Sequence, residues 1–222
     1  MNMEFNFNSL AETSFTSNSQ NYLKAYEIYK VTLTKFEKSE LKGKDGITTY
    51  PVISVEFSGE SGIFSENIFI PTKDEDFERN ENSNHKLMPS RFDRFQFTLM
   101  QIVEAINPAG ADKIKANASK LHTLDDFITI VSKALAGKTT EVYLKLVGQN
   151  TNGKLYARLP NSCFMGKDSK PTASNFINKD KDKLFFSNYE IGEMNKYKNA
   201  QPTDMESPDV VEESVDLDDL EL

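Results

Sequence analysis

Hydrophobic and polar residues alternate on both sides of a turn-rich loop, GQNTNG, between residues 139 and 160. Successive side chains of a β-strand point to opposite faces, so this alternation predicts two strands that each bury one face. Together they predict a β-hairpin whose inner, aliphatic face is formed by Val142, Leu144, Leu146, Leu155, Ala157 and Leu159. The outer face is predicted to combine tyrosines with cations: Tyr143, Lys145, Lys154, Tyr156 and Arg158.

Three earlier segments, 24–36, 47–57 and 63–70, are also rich in β-branched and aromatic residues. Short turns join them, which predicts an antiparallel meander. The alternation in the first segment changes parity near Tyr29, so we expect a bulge or a sharp bend there. Tyr50 and Phe69 fall outside the inward-facing sets of the second and third strands.

Two amphipathic helices are predicted between the third and fourth strands. Ser90, with Asp93 three residues later, has the pattern of a capping box, and the sequence at 107–110, Asn-Pro-Ala-Gly, predicts the end of the first helix. Thr123 is the predicted N-cap of the second helix, and Gly137 ends it. We expect the apolar faces of both helices to pack onto the sheet.

This order of elements predicts a mainly β fold with inserted helices. The closest pattern is a five-stranded OB-fold-like barrel with a helical insertion at about residues 90–137, although an SH3-like barrel or an irregular sandwich would give a similar pattern. The predicted organisation is a flexible N-terminal arm at 1–20, an OB-fold domain at 21–198 and a disordered acidic C-terminal tail at 199–222.

The net charge of −8 is distributed unevenly along the chain. Residues 201–222 contain nine of the 34 acidic residues and no lysine or arginine, which leaves 26 basic and 25 acidic residues, a net charge of +1, in residues 1–200. The acidity therefore belongs to the tail. A slightly basic body followed by an acidic tail is a charge asymmetry that can serve a physical use.

The residues that support metal or covalent chemistry are few. Cys163 is the only cysteine, which excludes an internal disulfide and a cysteine-based zinc cluster. His85 and His122 lack a metal-ligand spacing, and Asp74, Glu75 and Asp76 fall in a charged loop, so we predict neither an enzyme, nor a metal site, nor a cofactor. No segment has the length or apolarity of a membrane span or a secretory signal, so we expect a cytoplasmic protein that does not contact a membrane.

Aromatic rings beside cations form the minimal surface that holds a single nucleic-acid strand, because rings stack on bases and cations contact phosphates. The residues predicted to do so are Tyr143, Lys145, Lys154, Tyr156, Arg158, Tyr50, Phe69 and Lys30. The alternative interpretation is an ordinary solvated sheet face, on which tyrosine and lysine are common.

Three sequence features, the turn KSELKGKDG, the strand SGIFSENIFIPT and the acidic end DLDDLEL, together with the strand order, resemble phage-type single-stranded DNA-binding proteins. The resemblance implies an OB-fold that holds single-stranded DNA in the host cytoplasm. It also implies an acidic tail that recruits replication, recombination and repair proteins through Asp216, Leu217, Asp218, Asp219, Leu220, Glu221 and Leu222. Nine tethered carboxylates would also compete with DNA phosphates for cationic groups of the body.

The modest body charge of +1 favours a different hypothesis, a non-enzymatic OB-like structural or interaction protein of a phage virion or replisome. Binding of a single strand at low salt discriminates between the two hypotheses. The sequence leaves the oligomeric state open, a homo-oligomer included.

Overall fold

A computed structural model of the 222-residue chain describes residues 21–82, 85–151, 154–167 and 184–200. The predicted arm at 1–20 and residues 201–222 of the predicted tail lie outside the described residues. The described chain divides into a main body that extends to Phe185 and a C-terminal unit that begins at Phe186.

The meander predicted from the first three apolar segments is present. Strand β1 spans Glu27–Lys42, β2 spans Thr49–Gly59 and β3 spans Gly62–Phe69, and neighbouring strands pair antiparallel. The register of β1 shifts between Leu33 and Lys35. The bulge was therefore predicted about five residues too early, near Tyr29. Tyr29 instead lies where β1 pairs with β4.

Strand β1 is long enough to pair on both sides. Its C-terminal part pairs with β2, whereas Glu27–Val31 pairs antiparallel with β4, which spans Val142–Thr151. Strand β5, Lys154–Arg158, completes the predicted hairpin with β4, and the short β6, Met165–Gly166, pairs with β4 beside it. The resulting strand order is β3-β2-β1-β4-β5, with β6 attached to β4.

Three helices lie between β3 and β4: α1 (Arg91–Ile106), α2 (Pro108–Ala116) and α3 (Leu124–Leu135). The capping boxes predicted at the starts of α1 and α3 form as expected, with Asp93 N 3.0 Å from Ser90 Oγ and Asp126 N 3.1 Å from Thr123 Oγ1. Helix α2 was not predicted. The Asn-Pro sequence taken as a stop is its start, because proline suits the first helical position and the Asn107 side chain accepts a hydrogen bond from Gly110 N.

The core lies between the sheet and these helices. Alternate residues of β2, Ile53, Val55 and Phe57, are buried together with the aliphatic residues of β4, as the alternation predicted. The helices contribute one side each to the same cluster: Phe95, Leu99, Ile102 and Val103 from α1, and Phe127, Val131 and Leu135 from α3.

The prediction of a five-stranded OB-fold-like barrel is met only in part, since the antiparallel sheet has six strands and no ladder joins β3 to β5 in the described part of the chain. The Glu66 side chain spans this gap: from β3 it accepts a hydrogen bond from Leu159 N, just after β5, at 2.7 Å. The fold is also more evenly mixed than "mainly β" implies, because the helices contain about as many residues as the strands.

The C-terminal unit contains α4, Asn188–Ala200. Ser187 precedes it as an N-cap, with its N–H 2.7 Å from Glu190 Oε2 and its Oγ accepting from Glu190 N. The predicted start of the tail, residue 199, therefore falls inside this helix. Among the described residues, no helix has the length and apolarity needed to cross a membrane.

Candidate nucleic-acid interface

A cleft of about 960 Å³ opens where the meander meets the start of α1. Its walls come from the end of β1, the loop at 43–48, the start of β2, the end of β3, the segment after β3 and the first turns of α1. Tyr50 and Phe69 lie on the sheet side of this cleft, and their ring centroids are 6.0 Å apart in an edge-to-face arrangement. We call this surface the sheet cleft.

The pleat of the sheet explains why both rings point outward. Tyr50 lies on the same face of β2 as Val52, opposite the core-facing Ile53 and Val55, and although Val52 is buried, Tyr50 is exposed. Phe69 pairs with Val52 across β2 and β3 and therefore shares the outer face with Tyr50. The two rings are 44% and 56% exposed, so part of each ring is accessible to a ligand in the cleft.

Cations outnumber acids on the walls of the sheet cleft. Five exposed basic residues line it, namely Lys42, Lys44, Lys73, Arg91 and Arg94. The acidic lining residues are Asp45 and Asp76, and both carboxylates already have donors from the protein itself. An anion therefore meets a net positive surface, and a single strand presents one phosphate per nucleotide to it.

Asp76 is buried and structural. Its carboxylate accepts hydrogen bonds from Lys73 N at 3.2 Å and Thr72 N at 3.1 Å, and Arg91 Nη1 lies 2.9 Å from its second oxygen. These backbone N–H groups and the Arg91 guanidinium hold the pKa of Asp76 below its ordinary value. Arg91 is thus partly neutralised, whereas Arg94 lies three residues further along α1 and is exposed on the same side of the helix.

The loop at 43–48 is held in one conformation by Asp45. Its carboxylate accepts hydrogen bonds from the Thr48 hydroxyl, Thr48 N and Ile47 N, and these bonds lower its pKa. Gly43 N donates to Thr48 O at 2.7 Å, and Gly46 adopts a left-handed φ of +70° at the tip. The loop therefore presents Lys44 at the cleft from an ordered backbone.

Lys145 does not lie on the exposed face where the sequence placed it. It is only 2% exposed, and its ammonium donates to Ser162 Oγ at 3.1 Å and to the Phe185 carbonyl at 3.0 Å. Its backbone N–H also donates to Phe164 O. The chain after β5 folds back over this part of β4, so the prediction that Lys145 contacts phosphates from the surface is wrong.

Tyr143 and Lys30 are neighbours across β1 and β4, as their register shows. Tyr143 is half-buried, and Lys30 Nζ lies 2.6 Å from Glu141 Oε2. The hydrogen bond and charge of Glu141 raise the pKa of Lys30 and offset its positive charge. This pair therefore offers less aromatic surface and less charge than the sheet cleft.

The remaining predicted residues lie on β5. Tyr156 is 54% exposed and Lys154 is exposed, whereas Arg158 is half-buried and bonds Gln149 Oε1 and its neighbour's carbonyl, Leu159 O. Since β5 and β3 are the two ends of the strand order, the predicted set separates into two surfaces. Tyr50 and Phe69 meet in the sheet cleft, and Tyr156 belongs to the hairpin.

Sequence reasoning missed the cations of the sheet cleft. Lys42 and Lys44 flank Gly43 in a predicted turn, and Arg91 and Arg94 follow a predicted N-cap at a spacing of one helical turn. Both spacings are visible in the sequence, but only the fold, which places the start of α1 beside the end of the meander, brings these cations together.

The described residues contain no group of three or more His, Cys, Asp or Glu side chains able to hold a metal ion. Comparisons with protein-family models, curated proteins and solved structures found no match to this chain.

Proposed function

We propose that this protein binds single-stranded DNA in the sheet cleft and acts, without catalysis, in replication, recombination or repair. The observation that supports this most is the exposed Tyr50–Phe69 pair inside a cleft lined by five exposed basic residues. Each base that stacks on a ring would contribute about 1 to 3 kcal/mol, and the cations would contact the phosphates. Every base has a stacking face, so little sequence preference is expected.

We propose further that the sheet is an OB-type sheet that remains open between β3 and β5. Three consecutive antiparallel strands, inserted helices and a hairpin that pairs with the start of β1 suit this partly open barrel. The hydrogen bond from Leu159 N to Glu66 supports it, since it joins the two strands that a closed barrel would pair. OB-folds bind oligonucleotides across their second and third strands, where the sheet cleft lies.

The test is fluorescence anisotropy of a labelled oligo-dT titrated with the full-length protein at low and moderate salt. A duplex of equal length is the matched competitor. The proposal expects tight binding of the single strand that weakens with salt, and much weaker binding of the duplex. Equal affinity for both, or no binding at low salt, would contradict it.

Variants locate the binding surface. Tyr50→Ala and Phe69→Ala should each weaken binding, whereas Tyr22→Ala, an exposed tyrosine that does not line the cleft, should leave it unchanged. Tyr156→Ala distinguishes the two predicted surfaces. If Tyr156→Ala weakens binding while Tyr50→Ala and Phe69→Ala do not, the strand lies on the hairpin instead of in the sheet cleft.

An apolar groove on the helices favours a second candidate, an interaction protein of a virion or replisome. Phe77 and Phe97 are 47% and 45% exposed there, which is typical of protein contact sites. In this role the acidic tail would recruit other proteins. The two roles are compatible in one chain, and the oligo-dT titration decides whether the first is present.

A further inference from the structure

A row of neutral polar side chains crosses the outer face of the meander, the face opposite the core. Tyr50 and Phe69 of the sheet cleft lie at one end of this face. Next to them are Ser39 on β1, Ser54 on β2 and Asn67 on β3. We call these three residues the polar ladder. Each comes from a different strand, so the antiparallel pairing of the meander brings them together.

Hydrogen bonds join the polar ladder from strand to strand. Ser39 Oγ lies 2.7 Å from Ser54 Oγ, and Ser54 Oγ lies 2.7 Å from Asn67 Oδ1. The second distance suits an O–H···O hydrogen bond, because N–H···O hydrogen bonds are usually longer, at about 2.9 to 3.0 Å. The Asn67 oxygen therefore accepts a hydrogen bond from the Ser54 hydroxyl.

A hydroxyl has one proton to donate, which fixes the direction of the row. Because Ser54 donates to Asn67, Ser39 is the donor to Ser54. The amide of Asn67 is thus held with its oxygen towards Ser54, and among the described residues no group accepts a hydrogen bond from Asn67 Nδ2. Asn67 is also exposed. The polar ladder therefore offers a ligand two N–H donors in a held orientation.

Asn67 lies beside the aromatic part of the sheet cleft. It is two residues from Phe69 on the same face of β3, so their Cα atoms are separated by about 7 Å. A side chain at this separation is within reach of an aromatic group. A base that packs against the Phe69 ring would therefore have one edge at the Asn67 amide.

The charges on either side of the polar ladder decide which part of a nucleotide meets it. On one side, the sheet cleft has more cations than acids. On the other side lie two carboxylates, Glu37 and Glu56, and one ammonium, Lys35, which is 2.6 Å from Glu37. Phosphates are attracted to the cleft and repelled by the far end of this face. The uncharged edge of a base, and not a phosphate, is therefore expected at Asn67.

We propose that Asn67 contacts the edge of a base bound in the sheet cleft and favours bases that have an exocyclic carbonyl group. Thymine, cytosine and guanine have such an acceptor. In adenine the ring acceptors N1 and N7 lie next to an amino group, which is a donor and opposes the Asn67 donors. The Asn67 oxygen, which would pair with that amino group, is held towards Ser54 instead. This assignment rests on the proposed function and gives it a modest base preference, which stacking alone does not supply.

The test compares the affinities of the full-length protein for oligo-dT and oligo-dA of equal length, measured by fluorescence anisotropy. The ratio of the two dissociation constants is followed across variants, because self-stacking of oligo-dA weakens its binding to every variant alike. Asn67→Ala removes one hydrogen bond to a base carbonyl, so it should weaken oligo-dT binding about three- to tenfold. Oligo-dA binding should stay nearly unchanged, so the preference for oligo-dT falls by the same factor.

Ser54→Ala tests the orientation of the amide. Without the serine hydroxyl, the amide can turn its oxygen to the base and accept from the adenine amino group. Oligo-dA binding should therefore tighten while oligo-dT binding changes little, a gain that the loss of a merely structural serine would not produce. Ser65→Ala replaces an exposed serine on the same face of β3 and should keep the wild-type ratio.

Asn67→Asp is a second variant at the same exposed position, and far-UV circular dichroism verifies the folding of each variant. Its carboxylate presents an acceptor to the base, so oligo-dT should lose more affinity than oligo-dA. A wild-type ratio in both Asn67→Ala and Ser54→Ala, with both oligonucleotides still bound, would overturn the role of Asn67 and leave the proposed function standing. If the wild-type protein bound neither oligonucleotide, both proposals would fail.

Discussion

The Lys145 ammonium is held inside the body by two oxygen acceptors, Ser162 Oγ and the Phe185 carbonyl. Lys145→Ala would leave these groups without that donor and open a cavity beside β4. We expect a loss of about 1 to 3 kcal/mol in the free energy of unfolding, measured with urea. Lys154→Ala, in the exposed end of the same hairpin, should change it by less than about 0.5 kcal/mol. An unchanged stability with weakened DNA binding would show that Lys145 acts at the surface after all.

Glu66 predicts a pH dependence with a definite sign. Burial raises the pKa of its carboxyl, opposed by the Leu159 N–H and by Arg158, so the folded protein holds this proton at higher pH than the unfolded chain does. Its contribution to stability is therefore greatest near or below the unfolded pKa of about 4.3 and falls as pH rises through the folded pKa. Glu66→Gln keeps an acceptor for Leu159 and should be more stable than wild type at pH 7. The difference should shrink towards pH 4 in thermal unfolding scans, and a difference that grows towards low pH would contradict the assignment.

At the scale of single elements, the loop at 43–48 links backbone conformation to binding. Gly46 has a φ of +70°, and a Cβ there would meet no atom within 4 Å, so any cost of substitution comes from the backbone alone. Alanine disfavours this region by about 1 to 2 kcal/mol, whereas asparagine tolerates it. Gly46→Ala should therefore displace Lys44 and weaken oligo-dT binding in the anisotropy assay, while Gly46→Asn should bind like wild type. Equal weakening by both would mean that the glycine is needed for close approach of the strand.

The elements with a local signal were the ones that the sequence predicted. Caps at Ser90 and Thr123, the turn at Gly137 and the alternation of β2 and β4 each depend on neighbouring residues, and each appears in the structure. Helix α2 was missed because the pair Asn107-Pro108 can end one helix and also begin the next, and only the end was predicted.

The features that the sequence could not predict depend on long-range packing. Lys145 alternates as an outward residue, but Ser162 and Phe185 come from segments without periodicity and cover it. The open edge between β3 and β5 likewise depends on how far two distant strands approach, which no local pattern encodes. Of the predicted site, Tyr50 and Phe69 were brought together, and the cations beside them came from a loop and a helix that the alternation did not connect.

For the whole molecule, the proposed function predicts a specific salt dependence. The sheet cleft contains five basic residues, of which Arg91 is paired with the buried Asp76 and Lys73 is weakly paired, at 3.7 Å, with the exposed Glu75. If the four residues other than Arg91 contact phosphates, the logarithm of the binding constant should fall with the logarithm of salt concentration with a slope of about −3, since each neutralised phosphate of a single strand contributes about −0.7. Lys42→Ala combined with Lys44→Ala should make the slope shallower by about 1.4.

The matched control, Lys120→Ala with Lys133→Ala, removes the same charge from helical surfaces that do not line the cleft and should leave the slope unchanged. Because both pairs change the net charge equally, a slope that responds equally to both would mean that the body attracts DNA through its overall charge. A response confined to the first pair would place the phosphates in the sheet cleft.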